Sequence, residues 1–297
     1  MQLQVIYRTH AGSNAKSRPS WFDPRTAWES LATSLSGIGG AAVTVVADGG
    51  LPPQLADAFG PQHGRVDIRA GRVAASFRCA LAVGRKLSKD LPPDTLLWFA
   101  EDDYLYRPEA MPALLAAAAE VPEADYFTLY EPDDSAWHAT HPSQPDHRVP
   151  PLAGGVVQAG GHAWHRIGKT TSTFGVRAGT LRADAWLLDL GSRVGAPFDT
   201  ATWHALQGLR PFPWRHLLSD LDPAPSLRGV AKVAAKPVMR AALNVTPVLS
   251  PRRTLIAPVE HLAVHLESGH LSAGTDWAAL ARQIEANAGR PAPDDGA

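Results

Sequence analysis

Four short apolar runs, at residues 3–7, 43–47, 96–100 and 126–130, alternate with helix-length stretches at 26–35, 73–87 and 108–119. Runs of that length bounded by polar or turn residues read as strands. The stretches between them carry helix signals: Asp23-Pro24 supplies a cap and a first-turn proline, and Pro108-Glu109 opens an alanine-rich segment. Strands separated by helices pair in parallel through right-handed crossovers, so the expected fold is α/β, a doubly wound and mostly parallel sheet flanked by helices. Ligands of such sheets lie at the carboxyl ends of the strands. Each run is followed at once by polar residues: Arg8-Thr9-His10, Asp48-Gly49-Gly50, Glu101-Asp102-Asp103-Tyr104 and Glu131-Pro132-Asp133-Asp134. Those four ends are where a site is expected.

Beyond them, residues 137–161 are rich in Pro, His and Gly and read as a long loop, followed by a strand at 172–177 and helices at 180–190 and 199–209. Arg228, Lys232, Lys236 and Arg240 recur at four-residue spacing, and Pro237 is expected to kink or end any helix there. A strand at 255–259, a His-rich segment and a helix at 277–287 close the chain before a polar tail.

With 45% hydrophobic and 19% charged residues among 297, the chain is globular and long enough for one large α/β domain or two small ones. A net charge of -1 gives no field to attract nucleic acid, and Cys79, the single cysteine, excludes an intrachain disulfide or a zinc–cysteine cluster. The first residues lack the basic and apolar regions of a signal peptide, and no apolar stretch reaches membrane-spanning length. A cytoplasmic location is the expectation, and Asn244-Val245-Thr246 is then a chance sequon.

Glu101-Asp102-Asp103 is the feature richest in chemistry. Three adjacent carboxylates repel one another when buried, and a hard divalent cation that prefers oxygen ligands and phosphates relieves the repulsion. A metal-bridged diphosphate is the matching partner, and a solvated acidic turn before the next helix is the plainer alternative. The segment Trp98-Phe99-Ala100-Glu101-Asp102-Asp103-Tyr104-Leu105, with Arg107-Pro108, resembles the DXD-type motif of GT-A glycosyltransferases. It is most similar to the Glu-Asp-Asp version of N-acetylglucosaminyltransferase I-like enzymes and of a family 2-like bacterial group. The resemblance implies a single GT-A domain over 1–287, with a nucleotide-sugar half at 1–135 and an acceptor-side half at 136–287; the polar, Pro- and Gly-containing tail at 288–297 reads as disordered. The resemblance also implies Mn2+ or Mg2+ on Asp103, and Glu101 and Asp102 near the donor sugar and ribose.

Other segments extend it. Asp48 and Arg8 occupy places that face the nucleotide in that fold, against readings as a turn former and a surface ion pair. Lys16 and Arg18, in a loop locally similar to the bacterial group, carry a plain solvated reading beside it, and Ser76 and Arg78 are weaker donor-side candidates. Val264-His265-Leu266-Glu267, followed by Leu271-Ser272 and Asp276-Trp277, resembles the bacterial group's closing motif, which puts His265 on the metal. Trp164, with Ser172, Thr173 and Phe174, resembles an acceptor-side stretch, against an ordinary strand with one packed indole. Asp199 occupies the place of the catalytic base of an inverting enzyme and also reads as a helix N-cap, with Asp220 and Asp222 as rivals.

The function expected is transfer of a sugar from a nucleoside-diphosphate donor to a glycan, lipid-linked or small-molecule hydroxyl acceptor. A nucleotidyltransferase or metal-dependent phosphohydrolase, and a non-catalytic nucleotide-sugar-binding module, are the alternatives. The basic stretch 227–245 departs from the pattern. It reads as a solvated helix or as an insertion docking peripherally on the inner membrane or on a partner.

Overall fold

The structure is a computed structural model that describes residues 1–12, 16–132, 149–194, 198–212, 217, 227–269 and 271–288. Its centre is a nine-stranded sheet of order β3-β2-β1-β4-β9-β6-β10-β8-β7. The members are β1 Leu3–His10, β2 Ala41–Asp48, β3 Gly64–Ile68, β4 Leu96–Glu101, β6 Tyr126–Phe127, β7 Val156–Ala159, β8 His162–Arg166, β9 Phe174–Arg177 and β10 Leu255–Pro258. Strands β3, β2, β1 and β4 are joined in parallel; β9 runs against both β4 and β6, and β8 against β10 and β7. The sheet is therefore parallel where the expected site lies and mixed beyond it.

Its two faces are covered because the central strands carry apolar residues on both sides, as in Val5-Ile6-Tyr7 of β1 and Leu96-Leu97-Trp98-Phe99-Ala100 of β4. Leu3, Val5 and Tyr7 of β1 and Trp98 of β4 face α1 (Pro24–Leu35) and α3 (Ala110–Glu120), meeting Trp28, Leu31 and Leu114. Ile6, Leu97 and Phe99 face the other way, toward α2 (Val73–Ser88), α4 (Ala178–Gly191) and α5 (Phe198–Leu206). Continuous hydrophobic runs are the sequence form of a strand buried on both sides. At Gly84 a Cβ atom would lie 2.6 Å from Phe99 and 2.9 Å from Ile6, which explains how α2 sits so close to the sheet.

Several expectations are corrected. Residues 126–130 form a strand only at Tyr126–Phe127, and within the supposed loop 137–161 residues Val156–Ala159 form β7, hairpinned to β8. Helix α6, Leu227–Leu249, runs through Pro237. Proline removes one backbone donor there, and the helix is held further on, where Leu243 is buried in the core and Asn244 bonds to both the N–H and the C=O of Phe212. That double bond also occupies the side chain of the Asn244 sequon. Arg240, read as part of a basic face, is buried with its guanidinium over the Phe212 ring. Among the described residues no helix is long and apolar enough to cross a membrane.

A second, two-stranded sheet pairs β5 (Tyr104–Tyr106) with β11 (Ala263–His265). The closing helix α7, Trp277–Asn287, has Asp276 as its cap and packs Trp277, Ala281 and Ile284 against Ala27, Leu105, Val264 and Leu266. Of the tail, residues 289–297 lie outside the described residues.

Candidate functional site

Strand register builds the site. Arg8 lies opposite Glu101, and His10 opposite Asp48, so the carboxyl ends of β1, β2 and β4 form one line. After β2, Gly49 and Gly50 take φ of 77° and 103°, a left-handed turn open to glycine, and Asp48 Oδ1 accepts the Ala70 N–H at 2.8 Å. After β4 the chain passes straight into β5. The antiparallel pairing of β5 with β11 sets His265 opposite Tyr104, and the Leu266 N–H donates to the Asp103 carbonyl at 2.8 Å. Two sequence segments more than 150 residues apart are thereby brought to the same point.

Each carboxylate of the triplet has a different environment. Glu101 is ion-paired with Arg8, and its second oxygen accepts from Thr173 Oγ1 at 3.3 Å. Asp102 Oδ2 accepts from Thr9 Oγ1 at 2.6 Å and from the His10 N–H at 3.1 Å. Asp103 Oδ2 lies 2.8 Å from Arg18 Nη2, 3.1 Å from Lys16 Nζ and 3.1 Å from His265 Nε2. Burial and the neighbouring Asp103 charge raise the pKa of Asp102. Burial acts the same way on Asp103, but the hydrogen bond to His265 and the charges of His265, Lys16 and Arg18 hold it well below the carboxylate range. Two adjacent acids are thus driven apart, with Asp103 the firmly ionised one. Burial lowers Arg8, against the raising pull of Asp102 and Asp103.

These ends open on a cavity of about 700 Å³ lined by Arg8, Thr9, His10, Lys16, Arg18, Asp48, Arg72, Ser76 and all three acids. Asp103 Oδ1, Asp48 Oδ2 and Ser76 Oγ are buried without a hydrogen-bond partner in the protein. Buried polar atoms in native structures are nearly always satisfied, so these three leave hydrogen-bonding capacity on the cleft for water or a polar ligand to meet.

Of the residues expected at the site, Arg8, Asp48, Ser76, Glu101, Asp102 and Asp103 line the cleft, and His265 stands behind Asp103 with its ring stacked 5.0 Å from that of Tyr104. Thr173 is buried and reaches the site through Glu101. Ser172 lines instead a small hollow with Thr171, Phe174, Thr202 and Trp203. Trp164 is not brought to the cleft: its ring is fully buried in the core, with the indole N–H on the Ala159 carbonyl at 3.1 Å. Asp199 falls in the first turn of α5, but its side chain, like all of Asp220 and Asp222, lies outside the described residues. Lys16 and Arg18, read from sequence as loop cations, are in direct contact with Asp103. Thr9 and Arg72 carried no motif signal beyond their places after β1 and before α2.

As a metal site, the acid–imidazole pair Asp103/His265 offers two converging ligand atoms. Among the described residues no group of three or more His, Cys, Asp or Glu side chains does so. Oxygen plus one imidazole, with one acid oxygen orphaned, fits an ion that takes its remaining ligands from phosphate and water.

No protein-family model matches the chain, and no curated protein sequence matches it. Among solved structures, it is similar to a CMP:2-keto-3-deoxy-manno-octonic acid synthetase complexed with CTP, at 15% identity and TM-score 0.39 over 97% of this chain and 99% of that one. S. aureus TarS is similar at 13% identity and TM-score 0.39, over 69% of this chain and 34% of TarS. Mouse xyloside xylosyltransferase 1 is similar at 10% identity and TM-score 0.32, over 63% and 71%. Similarity at this level transfers no activity to the chain.

Proposed function

We propose that this protein is a metal-dependent glycosyltransferase of the GT-A type that moves a sugar from a nucleoside-diphosphate donor to a hydroxyl acceptor. The observation that carries the proposal is the convergence on one cleft of the acidic triplet and three orphaned buried polar atoms, at the carboxyl ends of β1, β2 and β4, with His265 in contact with Asp103. In this reading Asp48 and Ser76 accept from or donate to the nucleoside, and Asp103 with His265 holds Mn2+ or Mg2+. When bound, that ion would neutralise the charge developing on the leaving diphosphate.

The chain's own residues do the rest. Arg8 fixes Glu101, Thr9 fixes Asp102, and both carboxylates present a rigid edge to the donor sugar and ribose. Arg18 and Lys16 add positive charge beside the phosphates. Asp199 takes the acceptor's proton as the hydroxyl attacks from the face opposite the diphosphate, so that the anomeric centre inverts. The acceptor is a glycan, a lipid-linked sugar or a small molecule approaching from the side of β9 and α5.

The test is a thermal-shift series with UDP-, GDP-, CDP- and dTDP-sugars, with and without MnCl2. One nucleotide class is expected to raise the melting temperature only with the ion, and Asp103→Asn to lose that shift. A variant that keeps the full shift removes the metal from Asp103, and silence toward every nucleotide sugar removes the donor. Asp199→Asn is expected to keep the shift and abolish transfer.

A second reading, nucleotidyl transfer, draws on the same cleft, where Arg72 joins Arg8, Lys16 and Arg18; those four cations balance Asp48, Glu101, Asp102 and Asp103, so a triphosphate would need a divalent ion with it. It predicts pyrophosphate release from a nucleoside triphosphate and a sugar, which a coupled phosphate assay separates from glycosyl transfer.

A further inference from the structure

Lys16 stands in an unusual place. Its Nζ lies 3.1 Å from Asp103 Oδ2 and 3.0 Å from His265 Nε2, the two atoms that would ligate a metal, and 3.8 Å from Glu267 Oε2. The carboxylate oxygen and the ring nitrogen are themselves 3.1 Å apart. His265 Nε2 cannot accept a proton from Lys16 and donate one to Asp103 at once. Where Nε2 turns its lone pair to Lys16, two electron-rich atoms face each other, and the ammonium in contact with both relieves their repulsion.

The two basic side chains on Asp103 differ in how they are held. Arg18 is anchored independently: it donates to the Leu266 carbonyl at 2.6 Å, and its guanidinium lies over the Phe22 ring. Lys16 is more exposed, its side chain 38% accessible against 14% for Arg18, and its ammonium contacts are with Asp103, His265 and Glu267. An ammonium is a compact point charge on a flexible stem, suited to enter and leave such a position.

We propose that the Lys16 ammonium is the resident cation of the Asp103–His265 pair in the ligand-free protein, and that a divalent ion binds by displacing it. This rests on the assignment of the metal to that pair. The gap between Asp103 Oδ2 and His265 Nε2 then always has a cation beside it, and the displaced ammonium is left beside the phosphates that complete the ion's shell. Metal affinity is set in part by a competition built into the chain, because only molecules with Lys16 withdrawn can bind.

The experiment is Mn2+ titration of the full-length, donor-free protein, following the electron paramagnetic resonance signal of free Mn2+. Lys16→Gln is expected to bind Mn2+ roughly tenfold more tightly than wild type, the gain when the open form is about one molecule in ten. Lys16→Arg, which keeps the charge, is expected to stay within about threefold of wild type on the same reasoning. In the wild type, acetylation of Lys16 followed by mass spectrometry is expected to speed up when MnCl2 is added. Equal affinity of wild type and Lys16→Gln, or Lys16 reactivity indifferent to Mn2+, overturns the competition and leaves the metal assignment standing. If neither protein takes up Mn2+ even when a nucleoside diphosphate is added, or Asp103→Asn binds it as well as wild type, the metal assignment itself fails and the competition with it.

Discussion

At the scale of single residues, position after a strand was the readable signal. Arg8, Asp48 and the triplet each follow an apolar run, and register alone brings their ends into line. What Lys16 does was not readable, because its contact with Asp103 spans 87 residues and depends on where a loop returns. Trp164 shows the opposite failure. The run His162-Ala163-Trp164-His165 does not say which face of the sheet is inward, and the indole turned out to be core. His261 carries a prediction of its own. Its Nε2 accepts the Glu131 N–H at 3.3 Å, so the proton sits on Nδ1, which is buried without a partner. Burial lowers its pKa, and His165 nearby acts the same way against the raising pull of Glu131. A histidine depressed in the folded state favours the fold above its ordinary value, and that contribution is lost as pH falls through the folded value. Melting temperature measured from about pH 7 down to about pH 5 is therefore expected to fall less steeply in His261→Gln than in wild type. Parallel curves would contradict the assignment.

At the scale of elements, the long helices, the apolar strands and the short strands β9 and β10 were legible, and β3, β5, β7, β8 and β11 were not. Strands β5 and β11 are three residues each, too short to show a period, and they exist because they pair with each other. Strand β3, Gly-Arg-Val-Asp-Ile, is an edge strand that is largely exposed, with Arg65 and Asp67 breaking its apolar pattern. The pairing of β5 with β11 matters most for the site, since it carries His265 to Asp103. Helix α7 supports it from behind: Trp277 packs in one cluster with Leu105, Val264 and Leu266, the residues that flank the acid and the imidazole. Glu285 ties the same helix to α1 by accepting from Thr26 Oγ1 at 2.6 Å. Trp277→Ala is expected to cost roughly 3–5 kcal/mol in urea denaturation. It should also speed amide exchange at residues 263–266. Loss of stability with unchanged exchange there would show that α7 holds only itself.

At the scale of the whole molecule, one residue ties three distant segments of the chain together. Arg253, just before β10, bonds Asp184 of α4 through Nε at 2.7 Å and Nη2 at 2.9 Å, and Asp125 before β6 through Nη1 at 3.2 Å. Asp184 also accepts from Tyr126, and its side chain is buried. Arg253→Met leaves that acid without its counter-charge and is expected to cost about 3–5 kcal/mol, read from the urea midpoint. A loss under about 1 kcal/mol, the range of a surface pair, would refute the role given to it. The sheet that Arg253 helps close takes strands from both halves of the chain, which no local pattern announces. The amino-acid sequence alone determined the alternating α/β layout, the parallel block β1-β2-β4 and the acidic edge, because periodicity and strand ends are local properties. Only the tertiary structure decided which side chains meet at that edge, bringing His265, Lys16 and Arg18 to Asp103 and leaving Trp164 in the core. Such meetings depend on long-range register and on where loops return, and those are set by packing across the whole molecule.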